Sequence, residues 1–287
     1  MTVGTHFPTW LRKRIESTHF TREILKDLDL NTVCESARCP NLSECFSHRR
    51  ATFMILGKLC TRRCTFCAIP RGVPFEPEES EPGRIVEAVR RMQLSHVVIT
   101  SVARDDLEDG GSIQFVKVIT AIRKALPGVT IEVLTPDFHG DRTAIQRVVQ
   151  AGPEIYNHNL ETVARLQRRL RPYARYERSL EVLREVKAFS PRVWTKSGIM
   201  VGVGEEEEEV LQTFKDLREV NCEMLTIGQY LQSDEHNLPV EEFVPPERFL
   251  FFEEKAYEVG FSYVFSGPFV RSSYLADVAK QHLTLSR

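Results

Sequence analysis

Three cysteines in one short segment are the residues of this sequence best suited to redox chemistry. Cys60, Cys64 and Cys67 have the spacing C-x-x-x-C-x-x-C and follow an apolar run of strand length. Three thiolates in one loop can bind three irons of a four-iron cluster and leave the fourth iron open to a small molecule. If that iron chelates S-adenosylmethionine (SAM), one-electron reduction of the neighbouring sulfonium would release a 5′-deoxyadenosyl radical. The loop therefore predicts a radical-generating cluster.

A structural zinc site is the main alternative for this loop. Structural zinc usually has four closed ligands, commonly arranged as paired C-x-x-C motifs. Here there is a single C-x-x-C pair, and three residues separate it from the third cysteine. Given the ligand preferences of the two metals, the spacing favours iron and sulfide over zinc.

A second triplet lies closer to the N-terminus. Cys34, Cys39 and Cys45 have the spacing C-x-x-x-x-C-x-x-x-x-x-C, which is less specific by itself. This triplet also leaves one iron in need of a ligand from elsewhere or of an exchangeable one. Six thiolates can also form one larger site or two zinc sites. The compactness and the different spacings of the triplets favour two separate 4Fe-4S clusters.

The composition indicates where such chemistry would take place. The chain has 287 residues and a net charge of −2, so no overall basic field favours nucleic acid or anionic membranes. No apolar run reaches the roughly 18 residues that span a bilayer, and the N-terminal segment lacks a secretory core. Six of the seven cysteines are clustered rather than spread as in a secreted disulfide scaffold. We expect a cytoplasmic protein that binds neither nucleic acid nor a membrane.

Elements that would position the cysteines are visible as alternating strand-length apolar runs and helical spacings. The predicted strands are 51–56, 96–101, 130–134, 155–158, 193–201 and 224–230. The predicted helices are 83–93, 111–126, 142–150, 179–189, 206–220 and 246–259. These units predict an α/β fold, a partial (β/α)6 TIM-like barrel, because six units fall short of a full barrel of eight. We expect an N-terminal cysteine-bearing extension (1–50), the barrel (51–262) and a C-terminal tail (263–287).

Further blocks of sequence extend the pattern of the cysteines. They are C-E…C-P-N…E-C at 34–45, A-T-F-M-I-L-G at 51–57, C-T-R-R-C at 60–64, and R-S-S-Y at 271–274. Three more blocks, at 100–111, 157–161 and 196–202, belong to the same set. Together they resemble lipoyl synthase, a family of the radical SAM superfamily. The resemblance extends from about Pro8 to Tyr274, and the paired triplets with R-S-S-Y make it specific.

The resemblance implies a distinct role for the N-terminal triplet. In that family Cys34, Cys39 and Cys45 would hold an auxiliary cluster that is consumed as the sulfur donor. A serine of R-S-S-Y completes this cluster, and Ser273 is the implied ligand, with Ser272 as the second choice. A serine oxygen is a hard ligand on an otherwise thiolate-bound iron, which suits a cluster that is taken apart in turnover.

The implied reaction inserts two sulfur atoms at the sixth and eighth carbons of an octanoyl chain linked to a lysine of a lipoyl carrier domain. Those carbons carry no functional group, so hydrogen abstraction by a radical suits them better than acid–base catalysis. Two abstractions require two SAM molecules. The implied partners are octanoylated carrier domains of dehydrogenase complex subunits and the glycine cleavage H protein, a low-potential electron donor, and an iron–sulfur cluster carrier.

By the same resemblance, residues near the carboxyl ends of the strands should hold SAM. The candidates are Phe66 for the adenine, Thr100 and Ser101 for the methionine moiety, Asn159 and Glu161 for the ribose or amino group, and Lys196 for the carboxylate. Each also has a structural alternative, as a strand end, a helix cap or a surface charge.

One stretch departs from the family pattern. At Ser233–Glu235, where the family usually has Pro-Ser and a basic residue, this chain has two acids, Asp234 and Glu235. We expect these acids to affect the docking of the carrier domain rather than the chemistry.

Two other functions remain open at this level. The chain can be another radical SAM enzyme with an auxiliary cluster, in which case R-S-S-Y is coincidental. It can also be an iron–sulfur carrier or a zinc-stabilised binding module, although neither explains the βα series. Cleavage of SAM separates the enzymes from the carrier, and turnover of an octanoylated carrier separates the two enzymes.

Overall fold

Seven parallel strands form one sheet in a computed structural model that describes residues 8–13 and 15–277. The strands are β1 (Thr52–Ile55), β2 (His96–Ser101), β3 (Thr130–Leu134), β4 (Ile155–Asn157), β5 (Trp194–Val201), β6 (Met224–Gln229) and β7 (Tyr263–Gly267). They pair in chain order, and every pairing is parallel. Within the described residues β7 does not pair with β1, so the barrel is open along one seam.

Ten helices accompany the strands in the described part of the chain. They are α1 (His19–Asp27), α2 (Val33–Ser36), α3 (Leu42–Ser47), α4 (Glu81–Met92), α5 (Ser112–Ala125), α6 (Arg142–Gln150), α7 (Gln167–Leu170), α8 (Tyr176–Phe189), α9 (Glu207–Glu219) and α10 (Pro246–Glu258). Short 3-10 turns occur at Thr9–Leu11, Phe138–Gly140 and Ala164–Leu166. None of these helices has the length and apolar character needed to cross a membrane.

The partial barrel predicted from the sequence is confirmed. All six predicted strands and all six predicted long helices are present, with ends that differ by a few residues. A seventh strand, β7, lies where the sequence indicated only a tail. β7 is short and most of its side chains are half-buried, so it lacks the continuous apolar run that marks the other strands.

Alternation along β1 separates the helix-facing core from the interior of the barrel. Phe53 and Ile55 are completely buried in a hydrophobic cluster that includes side chains of α4 and α5. The side chain of Thr52 instead lines a cavity that the cysteines of the N-terminal extension also line. The strand therefore anchors the core with one face and presents a functional surface with the other.

The N-terminal extension and the segment after β7 meet beside the open seam. Residue Thr32 pairs with Phe53 of β1 in an antiparallel bridge, which fixes the extension to the edge of the sheet. The side chain of Asn41 donates to the carbonyl oxygen of Phe269 at 2.6 Å. The hydroxyl of Tyr274 donates to the carboxylate of Glu44, also at 2.6 Å. The two ends of the described chain thus pack against each other.

Gly228 in β6 permits this arrangement, because the C-terminal segment crosses β6 at that position. A Cβ atom there would lie 2.1 Å from the carbonyl oxygen of Val270. We expect Gly228→Ala to displace the segment and to destabilise the protein by about 1–3 kcal/mol, as overpacking typically does. Thermal unfolding would show the change as a lowered melting temperature.

Gly83 in α4 provides the matched control, because a Cβ atom there meets nothing within 4 Å. Gly83→Ala should leave the melting temperature unchanged or raise it, since alanine favours the helix by up to about 1 kcal/mol. Equal melting temperatures for the two variants would contradict the close approach at Gly228.

Candidate functional site

A cavity of about 300 Å³ lies between the N-terminal extension, β1, β2 and the C-terminal segment. Cys34 of α2, Cys45 of α3 and the intervening Cys39 all line this cavity. One water occupies roughly 30 Å³ in the liquid, so the space holds a group much larger than a single ion. The cavity therefore has the ligands and the size for a polynuclear cluster.

Ser273 lines the same cavity, although more than two hundred residues separate it from the triplet. Its hydroxyl oxygen accepts a hydrogen bond of 2.8 Å from the hydroxyl of Thr52. The neighbouring Ser272 is not among the residues that line the cavity in the described structure. Of the two serines named from the sequence, the geometry favours Ser273 as an oxygen ligand.

Burial disfavours the ionised form of two thiols of this triplet, Cys34 and Cys45. Burial, together with the nearby Cys39 and Cys45 thiols, raises the pKa of Cys34 to about 12. Burial also raises the pKa of Cys45 to about 12, again with a contribution from Cys39. The three sulfurs are therefore close enough to interact. Metal ligation requires thiolates, so bound iron must supply the positive charge that stabilises them.

The second triplet lies in a loop that closes on itself directly after β1. The amide of Cys60 donates to the carbonyl of Pro70 at 2.9 Å, and the amide of Cys67 donates to the carbonyl of Cys64 at 3.2 Å. The amide of Arg62 donates to the Cys60 sulfur at 3.4 Å. Burial raises the pKa of Cys64 to about 11 and that of Cys67 to about 12. The sulfurs of Cys64 and Cys67 therefore also need the positive charge of bound metal to become thiolates.

The described residues do not form a site for a single metal ion. In residues 8–13 and 15–277 no three histidine, cysteine or acidic side chains are arranged to hold one metal ion. A cubane cluster does not need such convergence, because each of its protein ligands binds a different iron. The donors of both triplets are thiols, which suit iron–sulfur clusters.

Arg62 ties the second cysteine loop to the carboxyl ends of two strands, and sequence reasoning missed this role. Its buried guanidinium pairs with Asp105 after β2 and Asp137 after β3, each at 2.7 Å. Burial alone would raise the pKa of Asp137, but the charge of Arg62 lowers it to about 2. The only signal in the sequence was the position of a charged residue between two cysteines.

Three of the SAM candidates have the features of a ligand site. The hydroxyl of Ser101 and the side-chain oxygen of Asn159 are buried without a hydrogen-bond partner. The amide group of Asn159 donates to the carboxylate of Glu161 at 3.0 Å. Gly198 leaves room for Asn159, because a Cβ atom there would lie 3.0 Å from its oxygen. Buried polar atoms are nearly always satisfied, so these atoms fit a polar ligand such as SAM.

Two further candidates have structural contacts. Thr100 donates its hydroxyl proton to the carbonyl of Leu134 at 3.0 Å, as a strand-end residue does. Phe66 is half-buried between two cysteines of the second loop and packs against the hydrophobic cluster of the C-terminal half. Its position in the loop keeps it near the cluster ligands, and its assignment to the adenine stays a prediction.

Lys196 is not brought together with the other SAM candidates. It lies in a buried ion pair, with its amine 2.9 Å from the carboxylate of Glu132. Asn157 also donates to this carboxylate at 3.3 Å, and His96 lies 3.6 Å from its other oxygen. Burial would raise the pKa of Glu132, but the charge of Lys196 lowers it to about 2. The assignment of Lys196 to the SAM carboxylate stays a prediction that this pair does not support.

Known proteins share both the sequence and the fold of this chain. The family model described as the radical SAM superfamily matches residues 54–217. A lipoyl synthase of Caldanaerobacter subterraneus subsp. tengcongensis is 55% identical over 282 residues, which is 98% of each chain. A lipoyl synthase of Rubrobacter xylanophilus is 53% identical over 94% of this chain and 85% of its own.

Among solved structures, methylornithine synthase (PylB) superposes with a TM-score of 0.54 at 16% identity, covering 89% of this chain and 83% of its own. Streptococcus suis SuiB, crystallised with S-adenosylmethionine, superposes with a TM-score of 0.57 at 10% identity, covering 78% of this chain and 53% of its own. At such low identities these two structures support the fold alone.

The buried pair of Glu132 and Lys196 can be tested by removing one or both charges. Lys196→Met leaves Glu132 buried and unpaired, which should destabilise the protein by about 3–5 kcal/mol. The double variant Glu132→Gln/Lys196→Met should recover most of that loss. Thermal unfolding of the reconstituted protein without oxygen measures both effects. A Lys196→Met variant with an unchanged melting temperature and a raised KM for SAM would instead identify Lys196 as a SAM ligand.

Proposed function

The chain belongs to the lipoyl synthase family of radical SAM enzymes, and from that premise we propose how its residues divide the family's reaction. The substrate is an octanoyl chain on a carrier lysine, which receives sulfur at its sixth and eighth carbons. The observation that carries our assignment is the shared cavity of Cys34, Cys39, Cys45 and Ser273. These four residues would hold the sulfur-donating cluster.

The loop of Cys60, Cys64 and Cys67 would hold the radical-generating cluster. A cluster held by this loop, together with SAM and an electron from the donor, would supply the radical chemistry that acts on an unactivated carbon. Arg62 holds this loop against the strand ends through ion pairs with its two aspartate partners. The unpartnered oxygens of Ser101 and Asn159 would bind the polar parts of SAM.

The cavity of the N-terminal triplet has a separate task. Ser273 would complete the ligand set of the donor cluster with a hard oxygen, which an iron releases more readily than a thiolate. The hydroxyl of Thr52 orients Ser273 and also contacts the Cys34 sulfur. When bound, this cluster would supply the sulfur atoms that the product gains.

We propose that Arg271 lies between the two cluster sites. Burial lowers the pKa of its guanidinium, whereas Cys39 of one site and Glu161 of the other raise it. Arg271 lines the cavity of the auxiliary triplet, and its interaction with Glu161 supports a position near the SAM candidates as well. The octanoyl carbons must reach the same region, because they have to meet the radical and the donor sulfur in turn.

The partners follow from the reaction. Lipoyl carrier proteins are the substrates of this family, and we propose dehydrogenase complex subunits and the glycine cleavage H protein as the carriers. A low-potential electron donor and an iron–sulfur cluster carrier would supply electrons and rebuild the donor cluster. The division into an extension (1–50), a barrel (51–262) and a tail (263–287), and a cytoplasmic location, belong to the same proposal.

The first test is turnover of an octanoyl-lysine peptide by protein reconstituted without oxygen. With dithionite and SAM, we expect about eight irons per chain, 5′-deoxyadenosine, and a peptide that gains two sulfur atoms. Ser273→Ala should reduce sulfur insertion more than SAM cleavage, because only the donor cluster loses a ligand. Ser272→Ala is the matched control and should behave like the unchanged protein. Mass spectrometry follows both products.

Two results would overturn the proposal. Zinc in place of iron, with no 5′-deoxyadenosine, would exclude radical chemistry in this chain. Equal losses of sulfur insertion in Ser272→Ala and Ser273→Ala would remove the assignment of Ser273 as the oxygen ligand.

A further inference from the structure

The loop after β6, here called the bridging loop (231–240), contacts the backbone of the radical-cluster segment. The side-chain amide of Asn237 donates to the carbonyl oxygens of Thr65 and Cys67, each at 3.1 Å. The backbone amide of Leu238 donates to the carbonyl oxygen of Thr65 at 3.0 Å. Three hydrogen bonds therefore hold the loop to the short segment between Cys64 and Cys67.

The same loop also contacts the auxiliary-cluster segment. Arg38, which lies between Cys34 and Cys39, donates to the carbonyl oxygen of Ser233 at 2.9 Å and to the carboxylate of Asp234 at 2.7 Å. Arg38 has a φ of 52°, a left-handed conformation that residues other than glycine rarely adopt. The chain turns sharply at Arg38 and its side chain reaches across to the bridging loop.

Hydrogen bonds inside the bridging loop connect these two contact points. The hydroxyl of Ser233 donates to the side-chain oxygen of Asn237 at 3.0 Å. The side-chain amide of Gln232 donates to the carbonyl oxygen of Asn237 at 2.9 Å. The carboxylate of Asp234 accepts from the amide of His236 at 3.2 Å. Asn237, which contacts the radical-cluster segment, is thus hydrogen-bonded to Ser233, which contacts the auxiliary-cluster segment.

We propose that the bridging loop sets the spacing between the two cluster sites, with Asp234 as the positioning residue. This inference rests on the proposed function, because only an enzyme that moves a carbon between two clusters needs such a spacing. A carbon radical that is out of line with the donor sulfur is lost without forming a carbon–sulfur bond. Small errors in the placement of reacting groups reduce rates strongly.

The ion pair of Asp234 and Arg38 suits a positioning role better than a stabilising one. Both side chains are partly exposed, at 30% and 61% of their full surface, and exposed pairs contribute little to folding stability. The pair also belongs to the stretch where this chain departs from the family pattern, Ser233–Glu235. The expectation that Asp234 affects carrier docking stays a prediction, and in the structure its carboxylate pairs with Arg38.

The test compares Asp234→Asn with Glu235→Gln in the reconstituted enzyme. Both variants lose one negative charge from adjacent positions, but Glu235 is exposed and, among residues 8–13 and 15–277, forms an ion pair only with its neighbour His236. We expect Asp234→Asn to keep its iron and to consume roughly three times as much SAM per sulfur inserted. Asp234→Glu, which retains the charge, should restore most of the coupling. With the octanoyl-lysine peptide, which has no carrier domain, Glu235→Gln should match the unchanged enzyme in the SAM consumed per sulfur inserted.

Two independent measurements show whether the loop acts as a bridge. Arg38→Gln should reproduce the effect of Asp234→Asn, and the double variant should be no worse than either single one, because the two residues form one interaction. Amide hydrogen exchange should become faster in both 33–39 and 64–68 when Asp234 is replaced. Exchange does not require turnover, so it tests the bridge even in a protein that inserts no sulfur.

The outcomes separate the bridge from the proposed function. If the unchanged enzyme forms 5′-deoxyadenosine but no sulfur-bearing peptide, the proposed function fails, and the exchange result alone decides the bridge. Identical behaviour of Asp234→Asn and Glu235→Gln, in both SAM consumption and exchange, would overturn the bridge. Loss of iron from Asp234→Asn would overturn it as well, because the residue would then support cluster binding rather than spacing.

Discussion

The ligand set of the auxiliary site is drawn from opposite ends of the chain, and much of the architecture follows from that constraint. Cys34, Cys39 and Cys45 precede the first strand, whereas Ser273 follows the last one. A cluster can bind all four residues only if the two segments lie side by side. The open seam of the barrel leaves room for this meeting, and side-chain contacts of the extension with the C-terminal segment hold it.

Charges inside the barrel mouth perform a complementary task. The guanidinium of Arg62 fixes the radical-cluster loop against two strand ends, and Lys196 neutralises Glu132 deeper in the interior. Each acid would be unfavourable in its buried position without its cation. The Arg62 pairs hold the cysteine loop against the strand ends, and the Lys196 pair connects β3 with β5.

Local patterns predicted a large part of this structure. The strands and long helices were visible because each has its own apolar periodicity, and the cysteine spacing identified both cluster segments. The pairing of Lys196 with Glu132 was not visible, since nothing in the sequence couples two residues sixty-four positions apart. The same holds for Asp234 and Arg38. Long-range ion pairs depend on the fold, whereas apolar periodicity and cysteine spacing involve residues that are close together in the sequence.

The position of Ser273 has a consequence for biosynthesis on the ribosome. The radical-cluster loop ends at Cys67, so its thiols emerge early, long before the last strand exists. The auxiliary site lacks its oxygen donor, and the contacts that place it, until Tyr274 has been translated and has left the exit tunnel. In a chain that ends before Ser273, the auxiliary triplet would therefore offer its three thiols without the oxygen donor.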